Sequence, residues 1–110
     1  MIRDLYALDD FSEHLKNAPG FLVYFSHDMC QVCKVLKPRV HEMLTTHFPA
    51  MPMFYVDMHK TPEIAGQNSV FTAPTVIVYA GGREQLRLSR SFGIDELKDR
   101  IGRFYHLMMD

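Results

Sequence analysis

The sequence is poor in cysteine and contains no tryptophan: its 110 residues include only two cysteines, Cys30 and Cys33. A small secreted domain stabilised by disulfides needs more than one pair. Two cysteines three residues apart also close a very short loop, which restrains the unfolded chain little. A structural disulfide is therefore a poor explanation, and we expect a reactive thiol pair in a reducing, cytoplasmic setting.

The chain also lacks long hydrophobic runs and an excess of charge of one sign. Its longest apolar runs, 21–25 and 75–80, are too short to span a bilayer. Residues 1–20 lack the basic start and apolar stretch of a secretory signal. The formal net charge is −1 and the basic residues are scattered, which argues against nucleic acid as a partner. Length and a hydrophobic content of 47% indicate one globular domain over residues 1–110.

Apolar periodicity predicts helices that alternate with strands, in an order that defines the fold class. The order implies an α/β fold with a central mixed sheet of four to five strands and helices on both faces. A short strand near Asp4–Tyr6 is a possible addition at the start. The predicted elements are a helix (9–17), a strand (20–26), a helix (30–48), a strand (53–58), a helix (61–68), two strands (75–80 and 84–92) and a helix (95–107).

Three local features refine these helices. In the 30–48 helix the spacing predicts one buried face, and Pro38 predicts a kink rather than an end. Thr61 and Pro62 predict a helix start, with a hydroxyl cap followed by proline at the first position. The last helix is expected to bury Leu97, Ile101, Phe104 and Leu107. The buried face of the 30–48 helix is expected to contain Val32, Val35, Leu36, Val40, Met43, Leu44 and Phe48.

The two cysteines lie where a buried strand gives way to a helix. Cys30 opens the predicted helix, and the unpaired N–H groups and positive dipole end of a helix stabilise a thiolate, the reactive form of cysteine. Cys33 lies one turn further on the same side, near enough to attack a mixed disulfide at Cys30. This arrangement favours a redox pair. Two alternatives stay open: two buried small residues, or part of a zinc site that His27 and a second chain would have to complete.

The segment YFSHDMCQVCKVLKP (24–38) resembles the active-site segment of thioredoxins, and the resemblance extends over about residues 5–108. It depends on several separated features rather than on the cysteines alone. These features are Lys34 directly after the second cysteine, Pro38, Ala73-Pro74-Thr75 before the third long strand, Gly81-Gly82 and Gly93.

The resemblance implies a thioredoxin fold and a thiol–disulfide oxidoreductase. Cys30 would be the attacking thiol and Cys33 the resolving thiol. Pro74 would be a cis-proline facing them, which exposes the preceding backbone to a substrate strand and keeps metals off the thiols. A shallow apolar groove for an extended substrate segment would be formed by Met29, Ala73, Thr75, Phe92, Gly93 and Ile94.

The implied partners are client proteins that contain a disulfide, or low-molecular-weight thiols. An external reductant such as a thioredoxin reductase would recycle the pair, and neither a cofactor nor a bound metal is expected. We expect a cytoplasmic monomer that binds neither nucleic acid nor membrane. The alternative is a non-catalytic redox sensor or partner-binding module of the same fold, or a protein that bridges a metal through the two cysteines.

The sequence departs from the thioredoxin pattern around the cysteines. Met29 replaces a tryptophan, and Gln31-Val32 replaces Gly-Pro, so the direction of exchange stays open. Tyr24 stands where the family has a buried aspartate; we interpret it as core filler whose hydroxyl needs a partner. A lysine often found on the next strand aligns near Met53.

Two polar residues near the cysteines, His27 and Lys34, could stabilise the Cys30 thiolate. A charged His27 would favour the Cys30 thiolate. Lys34 is interpreted as a solvated helix residue that could also support the thiolate. The remaining histidines, His14, His41, His47, His59 and His106, show no ligand spacing and are expected at the surface.

Overall fold

A computed structural model of the chain describes residues 2–5, 8–90 and 92–109. Tyr6 and Ser91, which belong to two of the predicted strands, lie outside these ranges. The described elements are β1 (Ile2–Asp4), α1 (Leu8–Asn17), β2 (Gly20–Ser26), α2 (Gln31–His47), β3 (Met53–Asp57), α3 (Pro62–Gln67), β4 (Thr75–Ala80), β5 (Arg83–Ser89), α4 (Ile94–Gly102) and α5 (Tyr105–Met109).

The strands form one mixed sheet in the order β1-β3-β2-β4-β5. Strands β1 and β2 run parallel to β3, whereas β4 is antiparallel to both β2 and β5. Ser26 is in register with Asp57, Phe25 with Thr75, and Thr75 with Ser89. The ends of β2, β3 and β5 and the start of β4 therefore share one edge of the sheet, which we call the Ser26 edge.

Side chains that alternate along the strands build a core on each face of the sheet. On one face Leu22 and Tyr24 pack with residues of α2 and α4, including Val40 and Leu97. On the other face the intervening residues of β2 pack with α1 and α3. This arrangement confirms the predicted mixed sheet with helices on both faces. No helix within the described ranges has the length and apolar character needed to cross a bilayer.

Helix α2 continues through Pro38, as predicted, but the prediction of its buried face was partly wrong. Val32 and Val35 are 65% and 59% exposed. Cys33 is buried instead, together with Val40 and others further along the helix. At 100° per residue, Val40 projects within about 20° of Cys33, whereas Val35 lies about 200° away. The apolar residues do recur at spacings of three and four, but the face of α2 that packs on the sheet contains Cys33 instead of Val32 and Val35.

Two other helix predictions also need correction. The Thr61 hydroxyl does not cap α3; it donates a hydrogen bond to the carbonyl of Asp57 at 2.9 Å, because Thr61 is buried against the end of β3. The single C-terminal helix is split into α4 and α5, and the Phe104 N–H donates to the Ile101 carbonyl in a tight turn. Gly102, a weak helix former, precedes this break. As a result Leu107 is exposed rather than on the buried face.

Candidate active site

Cys30 caps the N-terminus of α2. Its backbone is extended, and its Sγ accepts a hydrogen bond from the Cys33 N–H at 3.2 Å. The two cysteines form a disulfide with an S–S distance of 2.06 Å and a Cα–Cα distance of 5.3 Å. Cys30 is partly exposed, whereas Cys33 is 1% exposed. The first sulfur therefore combines access from solvent with a backbone N–H that points at it.

Tyr24 lies beneath the cysteine pair on β2. Its ring is completely buried, and its Oη donates a hydrogen bond to the backbone carbonyl of Cys33 at 2.9 Å. This bond is the partner that a buried tyrosine hydroxyl needs. Burial, and to a smaller extent the neighbouring Tyr55, raises the pKa of Tyr24 well above its ordinary value. The side chain beneath the cysteines is thus a neutral hydrogen-bond donor.

Tyr55 is the residue directly opposite Tyr24 in the sheet, while Met53 pairs with Leu22. The two tyrosine rings stack with centroids 6.4 Å apart, and the Lys37 Nζ lies 3.6 Å from the Tyr55 centroid. Burial is the main cause that raises the pKa of Tyr55, with smaller contributions from nearby carboxylates. Lys37 therefore places a cation against the face of the Tyr55 ring.

His27 interacts with its own loop and with a second histidine. Its Nδ1 accepts a hydrogen bond from the Met29 N–H at 3.2 Å, and its carbonyl accepts one from the Cys30 N–H at 3.1 Å. The His27 ring stacks on His59 at 4.3 Å, with 12° between the planes. His59 is exposed, as expected, but its position against His27 was missed. The register of β2 with β3 is the signal that could have placed both histidines at the Ser26 edge.

Lys34 projects into solvent on the first turns of α2. Within residues 2–5, 8–90 and 92–109 its side chain forms neither a hydrogen bond nor an ion pair, so no polar interaction links it to a cysteine sulfur. The predicted surface position of Lys34 agrees with this placement.

The Ala73–Pro74 peptide bond is cis, the geometry that the sequence resemblance implies for this proline. The Pro74 carbonyl accepts a hydrogen bond from the Arg90 N–H at 2.8 Å, which ties this loop to the end of β5. Among the residues that the structure describes, none forms a hydrogen bond with the Ala73 backbone. The backbone just before the cis-proline therefore retains a free donor and a free acceptor at the Ser26 edge.

The remaining predicted groove residues lie at this edge in different environments. Cys30, Ala73, Phe92 and Ile94 pack around one core cluster, while Gly93 is exposed and caps α4. Thr75 is buried in β4, and its hydroxyl donates to the Thr72 carbonyl at 2.8 Å. The Thr75 side chain is thus directed into its own loop rather than toward solvent.

Several exposed apolar side chains lie close in sequence to the cysteines or to the cis-proline. Met29 and Val32 flank the cysteines along the chain, and Val35 follows on α2. Phe71, which is 80% exposed, precedes the cis-proline loop. The sequence pattern pointed to Met29 but missed Val32, Val35 and Phe71 as surface residues. Met29 and Val32, which are directly adjacent to the cysteines in sequence, are the exposed apolar groups that a docked substrate would meet first.

The described part of the chain offers no set of side chains suited to a metal ion. No group of three or more His, Cys, Asp or Glu side chains within it is arranged to hold an ion. The stacked pair His27 and His59 is therefore not joined by a third ligand of these types in the described ranges.

The chain matches the family model described as Thioredoxin over residues 5–103. It is 28% identical to the thioredoxin-like protein YdfQ of Bacillus subtilis over 103 residues, which cover 94% of this chain and 91% of the relative. It is 35% identical to a thioredoxin of Chlamydia trachomatis over 80 residues, which cover 73% of this chain and 74% of the relative.

A solved structure with a similar backbone is oxidised mitochondrial thioredoxin 3 from Saccharomyces cerevisiae. The TM-score is 0.84 at 20% identity, with 93% of this chain and 94% of the other covered. At this identity the likeness shows the fold alone, and it confirms the thioredoxin fold that the sequence resemblance implies.

Proposed function

The chain belongs to the thioredoxin family, and we propose that it is a thiol–disulfide oxidoreductase that reduces disulfides through Cys30 and Cys33. The observation that carries the proposal is the asymmetry of the pair at the start of α2. Cys30 is partly exposed and receives a backbone N–H on its sulfur, whereas Cys33 is buried one turn later. These two environments suit an attacking thiol and a resolving thiol.

The first step uses the reduced pair. The Cys30 thiolate attacks one sulfur of a substrate disulfide, so that the substrate S–S bond breaks and a Cys30–substrate disulfide forms. The second substrate sulfur leaves as a thiolate and takes a proton from solvent. The Cys33 N–H, 3.2 Å from the Cys30 sulfur in the oxidised pair, stabilises negative charge on that sulfur.

The second step releases the substrate. The Cys33 thiol gives up its proton to solvent, and the resulting thiolate attacks the Cys30 sulfur, so that the mixed disulfide breaks and the Cys30–Cys33 disulfide forms. The released sulfur takes up a proton, so two electrons have passed from the dithiol to the substrate. An external dithiol reductant, such as a thioredoxin reductase, supplies two electrons to restore the pair. The expected compartment is the cytoplasm, where thiols are kept reduced.

The groove proposed for the substrate lies at the Ser26 edge. An extended peptide could pair with the free N–H and carbonyl of Ala73, because strand addition uses unpaired backbone groups. Met29 and Val32 would contact its apolar side chains on one flank and Phe71 on the other. Protein disulfides fit this surface better than the disulfides of small molecules, which are too short to span it.

The proposal is tested with two matched single-cysteine variants. Cys33→Ser is expected to accumulate a mixed disulfide on Cys30 when incubated with oxidised insulin or oxidised glutathione, as measured by mass spectrometry under non-reducing conditions. Cys30→Ser should capture far less, because the remaining thiol is buried. Equal capture by both variants, or capture by neither, would contradict the assigned roles.

Turnover separates an enzyme from a redox sensor of the same fold. Wild-type protein supplied with NADPH and a thioredoxin reductase is expected to reduce insulin over many cycles. A single stoichiometric exchange without turnover would instead support the sensor or partner-binding alternative. The Cys30→Ser variant provides the background rate.

A further inference from the structure

The backbone of Cys33 is held from two directions. Its N–H donates to the Cys30 sulfur at 3.2 Å, and its carbonyl accepts the Tyr24 hydroxyl at 2.9 Å. The first contact joins the two cysteines, and the second joins the first turn of α2 to the centre of the sheet. Tyr24 cannot move readily, since its ring is fully buried and stacks on Tyr55. The sheet thus fixes Cys33 relative to Cys30.

We propose that Tyr24 is a positioning residue for disulfide exchange, which acts by holding Cys33 in place for bond formation with Cys30. This inference deepens the proposed oxidoreductase function and rests on it. The Tyr24 hydroxyl forms its hydrogen bond with the backbone of Cys33 and not with either reacting sulfur. Its effect is to raise the effective concentration of the Cys33 thiol at the Cys30 sulfur, because a group held in place loses little further freedom when it reacts.

The contribution of the Tyr24 hydrogen bond to the order of the cysteine turn differs between the oxidised and the reduced protein. In the oxidised protein the covalent bond already fixes Cys33, so loss of the tyrosine hydroxyl leaves the turn closed. In the dithiol that constraint is absent, so the Tyr24 hydrogen bond carries a larger share of the ordering of this turn. Removal of the hydroxyl should therefore loosen the reduced form more than the oxidised form, and closing the disulfide should become less favourable.

Tyr24 also performs this role without a change of charge. Burial raises its pKa, so the hydroxyl keeps its proton and remains a donor through the neutral range. The positioning contact is accordingly present throughout the conditions in which the thiol exchange operates.

Tyr79 offers a matched control. It is also a buried tyrosine of the sheet, and its Oη donates a hydrogen bond at 2.8 Å, in this case to Asn68 Oδ1. It belongs to the core on the opposite face of the sheet from Tyr24. Tyr79→Phe should therefore lose a similar hydrogen bond and a similar amount of stability without touching the cysteine turn.

The experiment measures the equilibrium in which the protein dithiol and oxidised glutathione form the protein disulfide and two molecules of reduced glutathione. Tyr24→Phe is expected to lower this equilibrium constant about three- to tenfold, the effect of one ordinary hydrogen bond. Tyr79→Phe should leave it within twofold of wild type. Both variants are also prepared in a Gly66→Ala background, where a more favourable helix residue offsets lost stability and keeps Tyr24→Phe folded.

The possible results separate this inference from the function on which it depends. A loss of unfolding free energy in both variants, with the equilibrium constant changed only by Tyr24→Phe, supports positioning. An unchanged constant in Tyr24→Phe, or equal shifts in the two variants, overturns the inference and leaves the exchange activity standing. Failure of wild-type protein to form the Cys30–Cys33 disulfide with glutathione would instead overturn the proposed function itself.

Discussion

Along helix α2, the contribution of a valine depends on the direction in which its side chain points. Val40 is fully buried against the sheet, whereas Val35 faces solvent on the same helix. We expect Val40→Ala to lower the free energy of unfolding by about 2 kcal/mol, through lost burial and the cavity left behind. Val35→Ala should change it by less than about 0.5 kcal/mol. Urea unfolding of the two variants measures the difference, and equal losses would contradict the orientation of the helix.

Met29 is the exposed apolar residue that directly precedes the first cysteine. We expect Met29→Ser to raise the KM for insulin about two- to fivefold with kcat nearly unchanged, because partial burial of this side chain by a protein substrate would be lost. Insulin reduction at varied substrate concentration measures both constants. A small aromatic disulfide, too short to cover Met29, serves as the control substrate, and an equal rise in its KM would argue against a contact role.

Single residues show how much of the site could be predicted from the sequence. Cys30, Cys33 and Pro74 could be singled out as candidates because their spacing and neighbours form a pattern along the chain. Tyr55, Lys37 and His59 were missed, because their contacts depend on which strand residues face one another. The pairing of Tyr24 with Tyr55 and the stacking of His27 on His59 follow from the register of β2 and β3, which no short motif records.

Among the elements, the strands were predicted more accurately than the helix faces. The runs that became β2 and β4 are apolar throughout because both of their faces are covered, so composition alone identified them. The buried face of α2 was less certain, since Val32 and Cys33 are adjacent and both suit a core position. The break between α4 and α5 also escaped prediction, because Phe104 and Leu107 continue the apolar spacing across it.

Two glycines in different elements should respond oppositely to substitution by alanine. Gly66 lies within α3 with open space around it, so Gly66→Ala should raise the free energy of unfolding by about 0.5–1 kcal/mol. Gly81 lies in the β4–β5 turn at a φ of +63°, where an alanine costs about 1–2 kcal/mol. Thermal and urea unfolding measure both changes. If Gly66→Ala lowered the free energy of unfolding, a methyl group would not fit at this position without a cost.

For the whole molecule, burial of tyrosines on both faces of the sheet predicts a loss of stability in alkali. Burial raises the pKa values of Tyr24 and Tyr79 above the ordinary value of about 10. Above that pH the unfolded chain releases protons that the native protein retains, so the free energy of unfolding falls as pH rises. Below pH of about 9 this contribution is fully present.

Urea unfolding between pH 8 and pH 11 measures this effect. We expect a flat region to about pH 9 and then a steady decline, with a shallower decline in Tyr79→Phe than in wild type. A free energy of unfolding that stays constant up to pH 11 would contradict the burial of these hydroxyls. Titration of lysines and arginines cannot account for a difference in this decline between wild type and Tyr79→Phe, because both proteins contain the same lysines and arginines.

The sheet also separates the chemistry from the β4–β5 turn. Strand β4 begins at the Ser26 edge and runs for six residues to Ala80, so Gly81 and Gly82 lie roughly 20 Å away, at the opposite end of the strand. This turn is therefore a suitable anchoring point for attaching the protein to a sensor surface or for inserting a reporter peptide. A molecule immobilised there would present Cys30 to the bulk solution, where large substrate proteins can reach it.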